Sequence, residues 1–349
     1  MPRRRAVTLA VSGTLLAGFA AGALFQPVPY AELTPGPTFN VLGSQDGTPL
    51  ITITGRKTYP TTGQLRMVTV GVSEESYDMP LGEAIAGWLS SSEAIVPKDT
   101  IYPAGQTQQQ SDAENTQEMT DSQDSAITAA LAALDIKPTG SEVVIASVND
   151  GSPAAGKLQA GDVIDSVNGA AVKTGGTAGL NTVTDLIQKL TPGAQATFVV
   201  TRDDKKQSIT TGTANSGGKA EVGISIESEN VFPFSVDIQL NNVGGPSAGM
   251  MFALGIIDEL TDTGLTGGRI IAGTGTIDAS GNVGAIGGIQ MKTIGARDAG
   301  ATVFLAPASN CAEAKANQPA GLELVKVSTL KDALNALTDI REGKTPPLC

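Results

Sequence analysis

From Ala6 to Phe25 the chain carries no charged residue, and Arg3, Arg4 and Arg5 stand directly before this run. About twenty apolar or small residues, at about 1.5 Å rise each, just reach across a hydrocarbon core of about 30 Å, and the arginines hold the N-terminus in the cytoplasm. The pattern predicts a membrane anchor over residues 1–30, single-pass at the cell membrane, with the bulk of the chain extracytoplasmic. Ala21-Gly22-Ala23 also has the small-x-small form of a signal-peptidase site, so a cleaved secretory signal is the alternative. Both readings export the protein.

Residues 31–135 read as N-terminal strands and a linker. Four prolines between Gln26 and Pro37 predict a stiff, extended stalk. Leu50 to Thr54 and Leu65 to Val72 alternate β-branched and larger apolar residues, as strands do. Gln106 to Gln123 is polar and predicts a surface loop, followed by an alanine-rich helix from Ser125 to Leu134.

Residues 136–215 form a separate unit. Val143 to Val148 is a strand, Gly151 to Ala155 a turn, and Ala160 to Gly169 a tight turn, a strand and a hairpin. Val183, Leu186, Ile187 and Leu190 share one helical face, and Gln195 to Arg202 is another strand. From residue 216 to 349 strands and helices alternate. Phe234, Val236, Ile238 and Leu240 line one side of a strand that leads to Gly244-Gly245-Pro246-Ser247. Helices are expected over Ser247–Leu260, over Ile289–Ala299 and from Leu330 onward, with strands at Ile270–Thr276, Val303–Ala306 and Leu324–Val327. The fold class is α+β.

At 349 residues, with 40% hydrophobic and 17% charged residues, the chain has the balance of a folded globular protein of two to three domains. The net charge of −12 repels phosphate backbones, which excludes nucleic acid as an expected partner. Neither a metal-ligand cluster nor a cofactor motif is apparent. Cys311 and Cys349 are the only cysteines; an oxidising exterior would pair them, tying the C-terminal tail to the last domain, and two free thiols are the alternative.

Ser247 stands between small residues at the start of an apolar helix, a position that exposes a hydroxyl to unpaired backbone amides. Gly244 and Gly245 permit close approach of a substrate, and Pro246 suits a first helical position. Serine nucleophiles usually rely on histidine, and this chain contains none. The base must then be lysine or a carboxylate. Lys292 is flanked by Ile286, Ile289, Met291 and Ile294, with no acidic neighbour. Burial among such groups is what lowers an amine from about 10.4 toward 7 or 8. Thr274 or Thr276, at the end of the preceding strand, is placed to hold the amine.

The order Ser-Pro-Ala-Ala, Ala-Gly-Asp-Val-Ile and Val-Asn-Gly, within residues 152–169, resembles a bacterial PDZ domain. That resemblance implies a peptide added as a strand beside Val143, Val144 and Ile145, opposite Val183, Leu186 and Ile187, with a carboxylate-binding loop near Thr139 to Glu142. Gly245-Pro246-Ser247-Ala248-Gly249, Gly273-Thr274-Gly275 and Ile286-Gly287-Gly288-Ile289-Gln290-Met291-Lys292 resemble the proteolytic domain of Lon-type peptidases. By that resemblance Ser247 is the nucleophile, Lys292 the general base and Thr274 the residue that orients it. It further implies that strands around Leu65 to Val72 complete the protease sheet, that the PDZ unit is an insertion, that unfolded or flexible proteins are the substrates, and that the chain forms a homo-oligomer. No phosphate-binding loop precedes a lysine, so ATP-driven unfolding is not expected. A peptide-binding adaptor on an inactive protease scaffold is the alternative, and a phosphate-binding kinase a weaker third.

Overall fold

A computed structural model describes residues 2–103, 105, 108–202, 205–241 and 243–349, with side chains described outside 2–6 and 109. In chain order the first principal elements are α1 (Pro2–Ala23), β1 (Tyr30–Asn40), β2 (Gln64–Val72), α2 (Leu81–Leu89), β3 (Ala94–Pro97) and α3 (Gln108–Ala133). Then come β4 (Gly140–Val148), β5 (Val163–Val167), α4 (Gly176–Gln188), β6 (Gln195–Arg202), β7 (Lys205–Gly212) and β8 (Ile224–Val231). The last are α5 (Gly249–Leu260), β9 (Ile270–Gly273), α6 (Ile289–Asp298), β10 (Val303–Pro307), β11 (Glu323–Val327) and α7 (Leu330–Arg341).

Two units emerge. The first joins residues 1–52, 58–130 and 238–349, and its sheet runs β11-β10-β9-β2-β1-β3. β2, β9, β10 and β11 are parallel, whereas β1 pairs antiparallel with both β2 and β3. The central parallel strands are covered on both faces, which is why β10, Val-Phe-Leu-Ala-Pro, is buried at every position. Phe304, Ala272 and Val68 from the sheet pack with Ile289 and Ala296 of α6. α5 is apolar on every side until Asp258 and Glu259 near its end, and all but one of its residues are buried, so it is a core helix rather than an amphipathic one. α7 opens with a capping box in which Thr329 and Asp332 exchange side-chain and backbone bonds.

The second unit comprises residues 53–57 and 131–237, so in sequence it interrupts the first. Its antiparallel sheet runs β7-β6-β5-β4-β8, and α4 packs Val183 into a core with Ile145, Ile164, Val167 and Phe198. Arg202 grips the buried Asp162 through two bonds of 2.6 and 2.7 Å, fastening β6 to the turn before β5. β8 extends this sheet along β4, beyond the limit at residue 215 expected from the sequence.

Two expectations are corrected, and a third, the membrane span, finds no support. The proline-rich stalk is largely β1, whose register shifts between Pro35 and Thr38, the place where prolines that cannot donate to a ladder are tolerated. The polar loop from 106 to 123 is helix from Gln108 onward, Gln106 itself lying outside the described residues. No glycine or proline interrupts 108–133, and Gln108 to Asp112 and Gln117 to Asp121 bond at i,i+4. The apolar N-terminal run does form α1, but among the described residues no helix is long and apolar enough to cross a membrane. Alanine, glycine, serine and threonine dilute the larger apolar side chains there.

Candidate active site

The chain leaves the segment before α5 through Gly245, whose φ of +82° is the left-handed region that glycine adopts without strain. Helical geometry begins only at Gly249, so Pro246 lies in the preceding turn and not at a first helical position. Two contacts from α3 fix this turn. Asn115 O accepts the Gly245 amide at 2.9 Å, and the buried Ser122 hydroxyl donates to Pro246 O at 2.9 Å. Gly275 N–H bonds the Ser247 carbonyl at 2.9 Å from the opposite side. The Ser247 hydroxyl is thus delivered by a backbone held at three points, at the entry to α5.

Lys292 sits one turn into α6, which starts at Gly288 in the left-handed conformation with φ +67°. A side chain there would collide with Val70 of β2, at 2.8 Å from an added Cβ, so glycine lets the helix approach the sheet. Lys292 is 4% exposed. Its Nζ lies 2.7 Å from Ser247 Oγ and 3.3 Å from Thr274 Oγ1. Thr274 is fully enclosed at the end of β9 and its hydroxyl donates to Ser247 O at 3.0 Å, closing a three-residue network. Burial lowers the Lys292 amine from its ordinary 10.5 to about 8, and among the described residues no carboxylate pairs with it to oppose that fall.

A neutral Nζ has one lone pair. The amine as it stands donates to both Ser247 Oγ and Thr274 Oγ1; once neutral, with one N–H still given to Thr274, it can turn its lone pair to the serine and accept the serine O–H. The arrangement can generate an alkoxide-like oxygen. In the first turn of α5 Met250 N–H is taken by Gly275 O and the Met251 and Phe252 amides by Ala248 O, so an oxyanion would be received at the turn before them, around Ser247 and Ala248. A cleft of about 540 Å³ opens over Ser247 and Lys292. Its other walls are mainly apolar, with Gln45, Thr69 and Asn241 among them, and come from distant parts of the chain, including Leu33 and Phe39 of β1, Met67 and Val70 of β2, and Met119 of α3. These residues, with Ser122 and Asn115, escaped the sequence reading. The available signal was the small-residue face at Ser122, Ala126, Ala129 and Ala130, whose helical spacing marks a buried stripe under a polar composition.

The peptide groove expected on Val143, Val144 and Ile145 is not formed there. These residues lie in β4, which is flanked by β5 and β8, and all three are buried in the sheet. A strand bonded on both sides has no free edge to offer a peptide. Thr139 to Glu142 is likewise tied to β8, Thr139 N–H bonding Val231 O at 2.7 Å, and forms no open loop. The edge strand is β8. A cavity of about 110 Å³ lies between α4, at Thr184, Ile187 and Gln188, and the segment carrying Val222, Gly223, Ile224 and Ile226. Of the six groove residues expected, Ile187 lines this cavity, Val183 is core and Leu186 is half-buried against that core.

Cys311 and Cys349 form a disulfide, with Cα atoms 5.1 Å apart.

Residues 108–213 match the PDZ domain family, and residues 241–339 match the Lon protease (S16) C-terminal proteolytic domain. Solved structures similar to part of the chain include the PDZ domains of SdrC-like proteins from Listeria monocytogenes and Listeria innocua. Each is 26% identical over 24% of this chain, covering 86% and 92% of those chains, with TM-scores of 0.22. A protein from Geobacillus thermodenitrificans is 22% identical over 24% of this chain and 94% of its own, with a TM-score of 0.21. Within one mixed α and β chain, the two family matches show a PDZ domain and a Lon-type C-terminal proteolytic domain, and so support a peptidase that carries a PDZ domain.

Proposed function

We propose that the protein is an ATP-independent, extracytoplasmic serine endopeptidase in which Ser247 is the nucleophile and Lys292 the general base. The observation that carries this reading is the 2.7 Å contact between the Ser247 hydroxyl and an amine whose ammonium form burial disfavours. As Ser247 Oγ attacks the peptide carbonyl carbon, its proton passes to Nζ. The carbonyl oxygen becomes an oxyanion beside the backbone of the Ser247-Ala248 turn that precedes α5. The tetrahedral intermediate collapses as the Lys292 ammonium gives its proton to the leaving nitrogen, and the C–N bond breaks. Water, deprotonated by the same amine, then hydrolyses the acyl ester. Thr274 keeps Nζ aimed by accepting one of its protons.

Substrates are unfolded or flexible segments, since the sequence carries no phosphate-binding loop to drive unfolding. The PDZ unit selects them by strand addition to β8, with Ile187 and Ile226 in the adjoining cavity. Location outside the cytoplasm is supported by the Cys311–Cys349 disulfide and by the arginine-led apolar start of the chain, through which α1 associates with the membrane.

The test is hydrolysis of a flexible, casein-like protein by the full chain in chelator and without nucleotide. Cleavage is expected, with Ser247→Ala and Lys292→Ala inactive yet folded by circular dichroism. Equal turnover in either variant refutes the dyad. Peptide binding without any hydrolysis would favour the adaptor.

A further inference from the structure

Helix α2 presents an apolar surface that the proposed chemistry leaves unused. Its inner face is Ala84 and Gly87, both buried, and a Cβ at Gly87 would meet the Ile95 side chain at 2.5 Å. Its outer face is Ile85, Trp88 and Leu89, which are 39%, 50% and 84% exposed. No charge interrupts that face. The one ionisable residue of the helix, Glu83, accepts the Tyr77 hydroxyl at 2.6 Å. Trp88 is steadied on one side by Tyr30, their rings edge to face with centroids 5.2 Å apart.

This face adjoins the end of α1. Gly82 N–H donates to Leu24 O and Leu81 N–H to Gln26 O, each at 2.8 Å, and both Leu24 and Phe25 are exposed. Every described side chain of α1 is exposed as well. At about 100° per residue, Val7, Leu9, Val11, Leu15, Leu16 and Phe19 spread over more than half the helix circumference. A protein partner covers one side of a helix, whereas lipid surrounds it. Tryptophan beside such a segment has the composition of a membrane interface, an apolar ring with one polar N–H.

We propose that α2 docks on a phospholipid bilayer, with Ile85, Trp88 and Leu89 lying in the interfacial layer next to α1. The proposal deepens the membrane association of α1 given above and rests on it. The lipid-facing area is shared between two helices, so attachment does not depend on the apolar content of α1 alone.

Trp88 is the only tryptophan in the chain, so its emission reports on this face without a label. The full chain is mixed with phosphatidylcholine vesicles, either plain or brominated in the upper acyl chain, and floated on a density gradient. Flotation reads attachment through α1, and bromine quenching reads the position of α2. The chain is expected to float, with Trp88 emission shifted to the blue and more than half quenched by the brominated lipid. The Ile85→Ser, Leu89→Ser double variant is expected to float through α1 but to lose the quenching. A floating chain with unquenched Trp88, or a double variant quenched as fully as the parent, overturns docking of α2 and leaves the α1 attachment standing. A chain that does not float overturns that attachment and the docking with it.

Discussion

Replacing Lys292 by methionine, similar in size but uncharged, removes the buried ammonium and turns the electrostatics of the site into a measurable stability. The fall of the amine from 10.5 to about 8 corresponds to about 3 kcal/mol, at about 1.36 kcal/mol per pH unit. Below pH 8 the folded and unfolded chains both carry the proton, and the folded state bears the whole burial penalty. Between about 8 and 10.5 the unfolded chain binds one more proton than the folded chain, so stability rises with pH across that window. Methionine at 292 has no such term. At pH 7 the variant gains the relieved penalty, offset by about 1 kcal/mol for each lost bond to Ser247 and Thr274. The absolute difference at one pH is therefore less informative than its slope. Urea denaturation of both proteins from pH 6 to 10.5, followed by the fluorescence of Trp88, reports on the unit that holds Lys292. The wild type is expected to gain about 3 kcal/mol relative to Lys292→Met between pH 8 and 10.5. Parallel stabilities across that window would refute a buried, readily neutral amine.

Three further outcomes follow from the geometry. Ser122→Ala removes the bond that holds Pro246 O, worth about 1 kcal/mol, and should lower kcat about fivefold with KM unchanged in steady-state hydrolysis; a change in KM alone would remove Ser122 from nucleophile positioning. Reducing the Cys311–Cys349 bridge, which spans 38 residues, should lower stability by about 3 to 4 kcal/mol, read as a fall in Tm that Cys311→Ala, Cys349→Ala reproduces. Burial, reinforced by the neighbouring Asp258, raises Glu259 from 4.5 to about 7, so its ionisation opposes folding and stability is lost as pH rises through that window. Glu259→Gln should therefore raise the urea midpoint at pH 8 and leave it unchanged at pH 4; an equal effect at both would assign the change to packing.

The pair at the centre of the site was legible because both members announce themselves locally. Ser247 follows two glycines and a proline into an apolar helix, and Lys292 interrupts a helix whose neighbours Ile289 and Met291 are buried. What surrounds the pair was legible only in part. The strand of Met67, Leu65 to Val72, was expected in the protease sheet from the resemblance, but Leu33 and Phe39 lie some 200 positions upstream and reach the cleft only because β1 pairs with β2. α3 was hidden because fourteen of its first sixteen residues are polar and could equally solvate a loop; its register is set by Met119, Ser122 and Ala126 packing inward. The peptide groove was misplaced for a different reason. The apolar, β-branched run Val143 to Val148 marks a strand in a sheet but does not distinguish an interior strand from an edge, which here depends on β8 pairing from about 80 residues downstream.

The central claim, that a lysine is neutral often enough to take the serine proton, is tested most directly by titrating that amine itself. With an amine pKa of about 8, about one molecule in ten is neutral at pH 7, against about one in three thousand for free lysine. Selective 13C labelling of lysine Cε gives a resonance for Lys292 that is identified by its loss in Lys292→Met. The account predicts a midpoint near 8 for this resonance while exposed lysines titrate near 10.4. A midpoint for Lys292 at 10 or above would contradict it.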